Sequence, residues 1–284
     1  MAHGGAPAGD KDFPYWLVAA GALAIAIAVL IASNDLYSQV LTIVSRGLWI
    51  TIFVTIVAFA LATLLGLGLA LMALSGSVAL RQISRFYVEI IRGVPVLVLL
   101  FYIAFVGAPA FVVAWNAVTT PLREAGLVGE LLVRDVSLLW RAIIALTIGY
   151  SAFIAEVFRA GIQSVDPGQV EAAKALGLGR WHRFRLVILP QAIRTILPPL
   201  GNDFVAMVKD SSLVSVLGVA DLTQMGKVYA SGSFRFFETY SIVAYLYLLL
   251  TVGLSIALRA LERRLRRSTG QPEDRRGGWR SKPH

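Results

Sequence analysis

Six apolar stretches dominate this chain, each close to or beyond the roughly 20 residues that a helix needs to cross a hydrocarbon core. They run approximately over residues 14–32, 47–74, 86–114, 138–160, 193–220 and 239–260. A segment of that length in lipid must satisfy its own backbone, so it is a helix or part of a closed barrel, and no stretch alternates at a barrel's ten-residue period. The expected fold class is therefore an all-α membrane protein, a polytopic bundle of about six transmembrane helices. With 57% hydrophobic and only 15% charged residues and a mean hydropathy of +0.72, the chain lies far from the ~25% charged residues of soluble domains.

The net charge of +9 is distributed as a membrane requires. With the amino terminus inside, Lys11, Arg81, Arg85, the loop around Lys174, Arg180, Arg183 and Arg185, and the tail with Arg263, Arg264, Arg266 and Arg267 all fall on the cytoplasmic side. Only Arg46, Arg123, Arg134, Arg141, Lys227 and Arg235 fall outside, while Arg92 and Lys209 lie within helices. The opposite orientation violates the positive-inside rule at nearly every loop. Both termini are thus expected in the cytoplasm and the loop 161–192 with them. The Arg-rich tail, directly after a spanning helix, reads as a stop signal touching anionic lipid headgroups and not as a nucleic-acid site.

The first stretch reads as a retained helix over 14–32. Its run from Tyr15 to Ile31 is long for a signal-peptide core, its leader carries Asp10 and Asp12 beside Lys11, and no small-x-small cleavage site follows. Residues 1–13 and the tail from about Ser268 have the Gly, Ala, Pro or charge bias of unstructured ends, and 263–284 as a whole reads as a basic cytoplasmic tail.

Residue chemistry argues against an enzyme. There is no cysteine, the three histidines are His3, His182 and His284, and no G-x-x-x-x-G-K-[ST] exists, since Asp221 stands where Gly226-Lys227 would need its upstream glycine. Histidine or thiolate metal sites within the membrane are excluded, and the chain is expected to bind no cofactor and to hydrolyse no ATP by itself. Asp203 and Asp210 could suggest an intramembrane aspartyl protease, but seven residues apart they lie on one helix, whereas such pairs come from two elements.

Charged side chains at membrane depth are costly, so each is a candidate site. The fifth stretch carries Asn202, Asp203, Lys209, Asp210, Ser211 and Ser212, with Asn202 over Lys209 and Asp203 over Asp210 at helical spacing. This side either lines a polar pathway suited to a zwitterionic solute or pairs with neighbouring helices to hold the bundle. Glu89 with Arg92 and Glu156 with Arg159 are acid–base pairs three residues apart, expected to neutralise each other. Arg92-Gly93-Val94-Pro95 should also break a helix inside the membrane, which is tolerated where the break faces protein or a cavity. Arg92 and Glu156 join the pathway candidates.

The loop between the fourth and fifth stretches reads as two short helices with a joint: Glu171 to Leu176, then Gly177 and Gly179, then Trp181 to Leu189, ended by Pro190. Glu171-Ala172-Ala173, three residues, Gly177, nine residues, Val187, one residue and Leu189-Pro190 resemble the EAA loop of ABC importer permeases, with Val187 in place of the usual Ile. Further likeness runs from about Arg46 to Arg264. It is carried by Arg92-Gly93-Val94-Pro95, by the run Ala155 to Ile162, by Gly168-Gln169-Val170 ahead of the EAA, by Gln191-Ala192, Leu197-Pro198-Pro199 and by Lys209-Asp210-Ser211-Ser212-Leu213. The chain is identified as a member of the polar amino acid branch of these permeases, although Val94 stands where relatives usually have Thr.

That resemblance implies a type I importer in the bacterial inner membrane, with a five-helix permease core over 46–262 plus the extra helix at the amino terminus. It implies a second permease subunit, identical or related, a cytoplasmic ABC ATPase dimer holding ATP and Mg²⁺, and a periplasmic or lipid-anchored amino acid-binding protein. Glu171, Ala172, Ala173, Gly177, Leu189 and Pro190 would then couple to the ATPase. The rival classes are a secondary transporter or channel, which should show two similar halves, and a purely structural membrane subunit.

Overall fold

The computed structural model describes residues 15–267 and is helical throughout apart from short connections, with no strand among the described residues. Parts of the expected tails, 1–13 and the segment beyond 267, lie outside the described residues.

The centre of the bundle is a parallel pair, α3 (Leu48–Ala73) and α8 (Leu138–Gln163), with Phe53 beside Trp140, Ala58 beside Thr147 and Gly66 beside Ile154. α3 is apolar on all sides, so what distinguishes its contact face is residue size. On α3 the buried positions Thr51, Val54, Thr55, Ala58, Ala62, Gly66, Leu69 and Ala70 recur every three or four residues, the stripe of one helix face. Where lipid is as apolar as the protein, association depends on close van der Waals approach, and small residues allow it. Gly66 shows how close: a Cβ there would stand 2.8 Å from Ile154 Cγ2 and 3.0 Å from the Ser151 carbonyl oxygen. The threonine hydroxyls that this face buries are satisfied within the helix, Thr51 donating to the Gly47 carbonyl at 3.2 Å and Thr55 to the Thr51 carbonyl at 2.8 Å.

Around this pair lie α4 (Val78–Gly93), α5 (Val96–Tyr102), α6 (Ala108–Val118), α11 (Leu189–Asp210) and α13 (Phe236–Arg267). The third stretch, read as a span over 86–114 with a helix break expected at Arg92-Gly93-Val94-Pro95, is divided there. Val94 is extended (φ −103°, ψ 129°) and Pro95 follows, since a residue before proline is pushed out of the α region. α4 packs across α3 and α8, with Ser84 donating to the Leu69 carbonyl at 2.8 Å and Tyr87 meeting Ser151 at 2.8 Å. The crossing segment proper is Val96–Val118.

Two turns of wider, π-type helix, Ile103–Gly107 and Phe184–Ile188, share one cause. Each ends two residues before a proline, Pro109 and Pro190. A proline ring presses on the carbonyl four residues back and cannot bond to it, so the helix widens locally and continues.

Four helical segments are long and apolar enough to cross a membrane: Asp35–Ala73, Val96–Val118, Leu138–Gln163 and Phe236–Leu261. The fifth expected span is not among them. Over 193–220 the chain is α11 up to Asp210 and a tighter 3-10 turn from Ser211 to Leu217, and the charges at Asp203, Lys209 and Asp210 keep it below the apolarity of the others. The first expected span is α1 (Tyr15–Ser33), 19 residues that are apolar along their whole length.

One helix was not foreseen. Residues Asp35–Val44 form α2, capped by Asn34, whose side chain accepts the Leu36 N–H at 3.0 Å. Tyr37, Val40 and Val44 bury themselves with Ile31 of α1, Leu222 of α12 (Leu222–Ser233) and Ile242 and Val243 of α13. This smaller cluster is separate from the α3/α8 core.

Candidate functional site

Both candidate regions flank α11, one at each end. The loop before it begins with α9 (Pro167–Ala175), where Asp166 accepts the Gly168 N–H at 2.7 Å and Pro167 takes the first helical position, a place where its missing N–H costs nothing. α9 stops at Gly177, whose φ is +75°. There the Leu178 N–H reaches the Ala173 carbonyl at 3.1 Å and the Gly177 N–H reaches Lys174 at 2.9 Å. This is the left-handed helix stop that favours glycine.

The three residues of the Glu-Ala-Ala triplet do different things. Ala173 is 4% exposed and packs into its own chain. Glu171 and Ala172 face outward, and Glu171 makes no ion pair among the described residues. Beside them the tip of the loop shows apolar side chains, Leu176 at 82% and Trp181 at 65% exposure. Trp181 stacks with Phe184, ring centroids 6.1 Å apart, and α10 (Arg180–Arg183) leads through the π-type turn into α11. Leu189 and Pro190 start that helix. The two arms are tied by Gln191, which donates to the Gln169 carboxamide oxygen at 2.6 Å and to the Val187 carbonyl at 2.9 Å. The loop is therefore a braced arm with an acid and apolar groups at its exposed tip.

At the other end of α11, the polar residues divide between two faces. Asn202 and Lys209 are exposed, stacked two turns apart. Asp203 and Asp210 are half-buried and turn towards α8, where the Tyr150 hydroxyl donates to Asp210 Oδ2 at 2.7 Å. Asp203 Oδ2 is buried with no hydrogen-bond partner among the described residues. Ser211 is buried and donates to the Val208 carbonyl at 2.7 Å, and the Ser212 carbonyl accepts from Ser215 at 2.7 Å. Both serines thus help close the 3-10 turn.

Glu156 and Arg159 form the expected pair, bonded at 2.5 and 3.1 Å. Glu89 and Arg92 do not: no ion pair joins them among the described residues. The break at Val94 leaves Arg92 exposed at the helix end, its guanidinium 5.6 Å from the Phe153 ring centroid, a cation–π arrangement. Phe153 in turn meets the Tyr150 ring at 6.4 Å. Successive turns of α8 therefore connect the Asp210 carboxylate, Tyr150, Phe153 and Arg92, a row of contacts that sequence reasoning did not assemble. Tyr150 was missed because one tyrosine in an apolar helix carries no signal of its own.

A second omission is Arg141. It is 7% exposed and donates to the carbonyls of Val136 at 2.8 Å, Ala104 at 3.0 Å and Val133. Ala104 lies in the first widened turn. A buried guanidinium fully engaged by main-chain oxygens fastens the connection before α8 to that turn.

Among the described residues no cluster of three or more metal-ligating side chains occurs. Near α12, Asp221 caps the helix by accepting the Gln224 N–H at 2.8 Å, and burial pushes its carboxyl up to about 6.

Comparison with known proteins gives a consistent set. The family described as binding-protein-dependent transport system inner membrane component matches residues 62–267. The chain is 38% identical over 218 residues to the probable amino-acid permease protein YxeN of Bacillus subtilis (strain 168), covering 77% of this chain and 89% of the relative. It is 35% identical over 221 residues to the glutamine transport system permease protein GlnP of Escherichia coli (strain K12), covering 78% and 92%. A crystal structure of an amino acid ABC transporter with histidines superposes with a TM-score of 0.66 at 38% identity, covering 82% of this chain and 98% of that one. An inward-facing structure of the MetNI methionine ABC transporter, at 21% identity and a TM-score of 0.58, shares the fold.

Proposed function

We propose, for a chain that belongs to the family of binding-protein-dependent transport system inner membrane components, that it is the permease subunit of an ABC importer forming the membrane pathway for a polar amino acid. The relatives named for amino acid and glutamine transport, and the neighbour solved with histidines, support that cargo class. The substrate is delivered by a solute-binding protein on the outer face. Energy comes from ATP and Mg²⁺ bound to separate ATPase subunits on the cytoplasmic face.

The observation that carries this reading is the braced loop, with Glu171 and Ala172 outward, Leu176 and Trp181 bare at its tip, and Gly177 fixing the turn. An exposed carboxylate can accept charge-assisted bonds from a partner, and bare apolar groups beside it have water to lose on docking. The loop runs into α11 through Gln191 and Pro190, so displacement of the loop moves the helix that carries Asn202, Asp203, Lys209 and Asp210. Transport then follows from a difference in contacts between an inward and an outward state. A second permease subunit faces the exposed Asn202 and Lys209 side of α11, enclosing the pathway.

Reconstitution into liposomes with the ATPase and the binding protein tests this. Amino acid accumulation is expected only with ATP, ATPase and binding protein all present. Uptake driven by an ion gradient without ATP would overturn it.

A further inference from the structure

The turn between α12 and α13 contains a residue whose backbone is unfavourable and whose side chain touches little of this chain. Phe234 has φ +58° and ψ 19°, the one non-glycine residue with positive φ among the described residues. It ends α12, its N–H donating to the Ala230 carbonyl at 2.8 Å. Glycine takes this conformation without the Cβ clash that any other L-residue suffers. Phe234 is nevertheless 82% exposed, so packing within the chain does not explain the aromatic ring. Phe237 at 77% and Phe236 at 49% exposure stand beside it, with Arg235 between.

Their position along α13 says what covers them. The apolar part of α13, Phe236–Leu261, has 26 residues, about 39 Å at 1.5 Å per residue, against a hydrocarbon core of about 30 Å. Arg259 and the basic run after it mark the other end. Counting back from Arg259, the core's far boundary falls near residue 239, so Phe236 and Phe237 stand about one turn above it, within the headgroup layer. α12 and the start of α13 meet α2 in the smaller cluster, distinct from the α3/α8 core. From there α13 stays exposed across the membrane towards its basic end, through Tyr240, Leu248, Leu249, Val252 and Ile256.

We infer that Phe234, Phe236 and Phe237 form an interfacial anchor that inserts into the phospholipid headgroup layer of the outer leaflet and fixes the depth of the α12–α13 corner. This rests on the reading of the chain as a membrane subunit with its basic end inside. Aromatic rings at the boundary between hydrocarbon and water hold a helix at a set depth. The strained backbone at Phe234 is retained because it turns the ring outward from the helix end.

The chain has no cysteine, so single-cysteine variants need no background removal. Phe234→Cys carrying a nitroxide, in nanodiscs of phosphatidylethanolamine and phosphatidylglycerol, should show collision with oxygen favoured over a water-soluble nickel chelate. The same label at Gly129, which has open space around it, should favour the nickel chelate. A label at Leu249 should read deep in hydrocarbon. Nickel access at 234 equal to that at 129, with 249 still deep, overturns the anchor and leaves the membrane reading standing; water-like access at 249 overturns both. Protection of 234 that appears only on adding the solute-binding protein also overturns it, by assigning the surface to that protein. Phe234→Gly should melt in detergent no lower than the parent, and a melting point lowered by several degrees would show that the ring packs within the chain.

Discussion

The Tyr150 hydroxyl and the Asp210 carboxylate, 60 residues apart in sequence, lie 2.7 Å apart and join α8 to the end of α11 where that helix tightens into its 3-10 turn. Among the described residues this is the one side-chain hydrogen bond between α8 and α11. Tyr150→Phe deletes the donor and leaves a half-buried carboxylate oxygen without that bond, at a cost of about 1–3 kcal/mol. Thermal unfolding in detergent should show the loss. Asp210→Asn keeps an acceptor and should preserve assembly with the ATPase while lowering uptake. A double-mutant cycle should give a coupling of about 0.5–3 kcal/mol, and strictly additive losses would place the two residues in separate roles.

Glu171 is exposed and bonds to nothing described in its own chain, so Glu171→Lys should change stability by no more than about 0.5 kcal/mol. Membrane insertion and the melting point are expected to match the parent, while co-purification with the ATPase is lost. Retention of the ATPase on affinity purification of this variant would remove the loop from the coupling role.

Gly177 differs from Glu171 in acting through the backbone. At φ +75° an alanine or β-branched residue is strained by about 1–2 kcal/mol, and the stop of α9 is disturbed with it. Gly177→Val should weaken ATP-dependent transport strongly, whereas Gly177→Asn, which tolerates this conformation, should retain most of it. Equal activity of the two variants would show that the turn geometry is not what matters. The side chain is not expected to clash, since open space surrounds the position.

These residues differ in how far they could be read before the fold was known. Charges at 203, 209 and 210 stand out because an apolar background makes each conspicuous, and the loop motif has a spacing that ordinary linkers lack. The helix break at Val94 and Pro95 was also legible, from proline's effect on its neighbour. What hydropathy does not convey is direction: a window over 86–114 sums one apolar stretch and cannot register that α4 crosses the bundle before the chain turns to span it. The same limit hid α2, whose ten residues are too short and too mixed to score as a span. Arg141 was placed by charge alone in an outer loop, because nothing local indicates that three carbonyls converge on it. The expected Glu89–Arg92 pair followed helical spacing, yet the helix ends at Gly93 and frees Arg92 to lie against Phe153.

Asp221 provides a pH-dependent measurement. Burial raises its carboxyl from 3.8 to about 6, so the folded protein binds a proton there that the unfolded chain has already released between about pH 4 and 6. Its contribution to stability is fully present below about pH 4 and is lost as pH rises through 6. A shift of this size corresponds to at most about 3 kcal/mol. Relative to Asp221→Asn, the parent's melting point should fall as pH rises from 4 to 7 and then level off. A constant difference between the two over that range would contradict the raised value.

The closest approach in the central pair supplies the last test. Gly66→Ala introduces a Cβ 2.8 Å from Ile154 Cγ2, 3.0 Å from the Ser151 carbonyl oxygen and 3.1 Å from the Ala155 nitrogen. The first neighbour is a side chain and can be removed; the other two are main chain of α8 and can yield only if the helices separate. Overpacking of this kind costs about 1–3 kcal/mol. Ile154→Ala alone, at a position with no exposure, should cost about 2–5 kcal/mol through its cavity. Combined, the added methyl partly fills that cavity and the Cγ2 clash disappears, so the double variant should be more stable than the sum of the single losses requires. Rescue should remain incomplete, because the contacts with Ser151 and Ala155 persist. Melting of the three variants in the same detergent decides it. Simple additivity would mean that α3 and α8 adjust their separation freely, contrary to a packing face set by Ala58, Ala62 and Gly66.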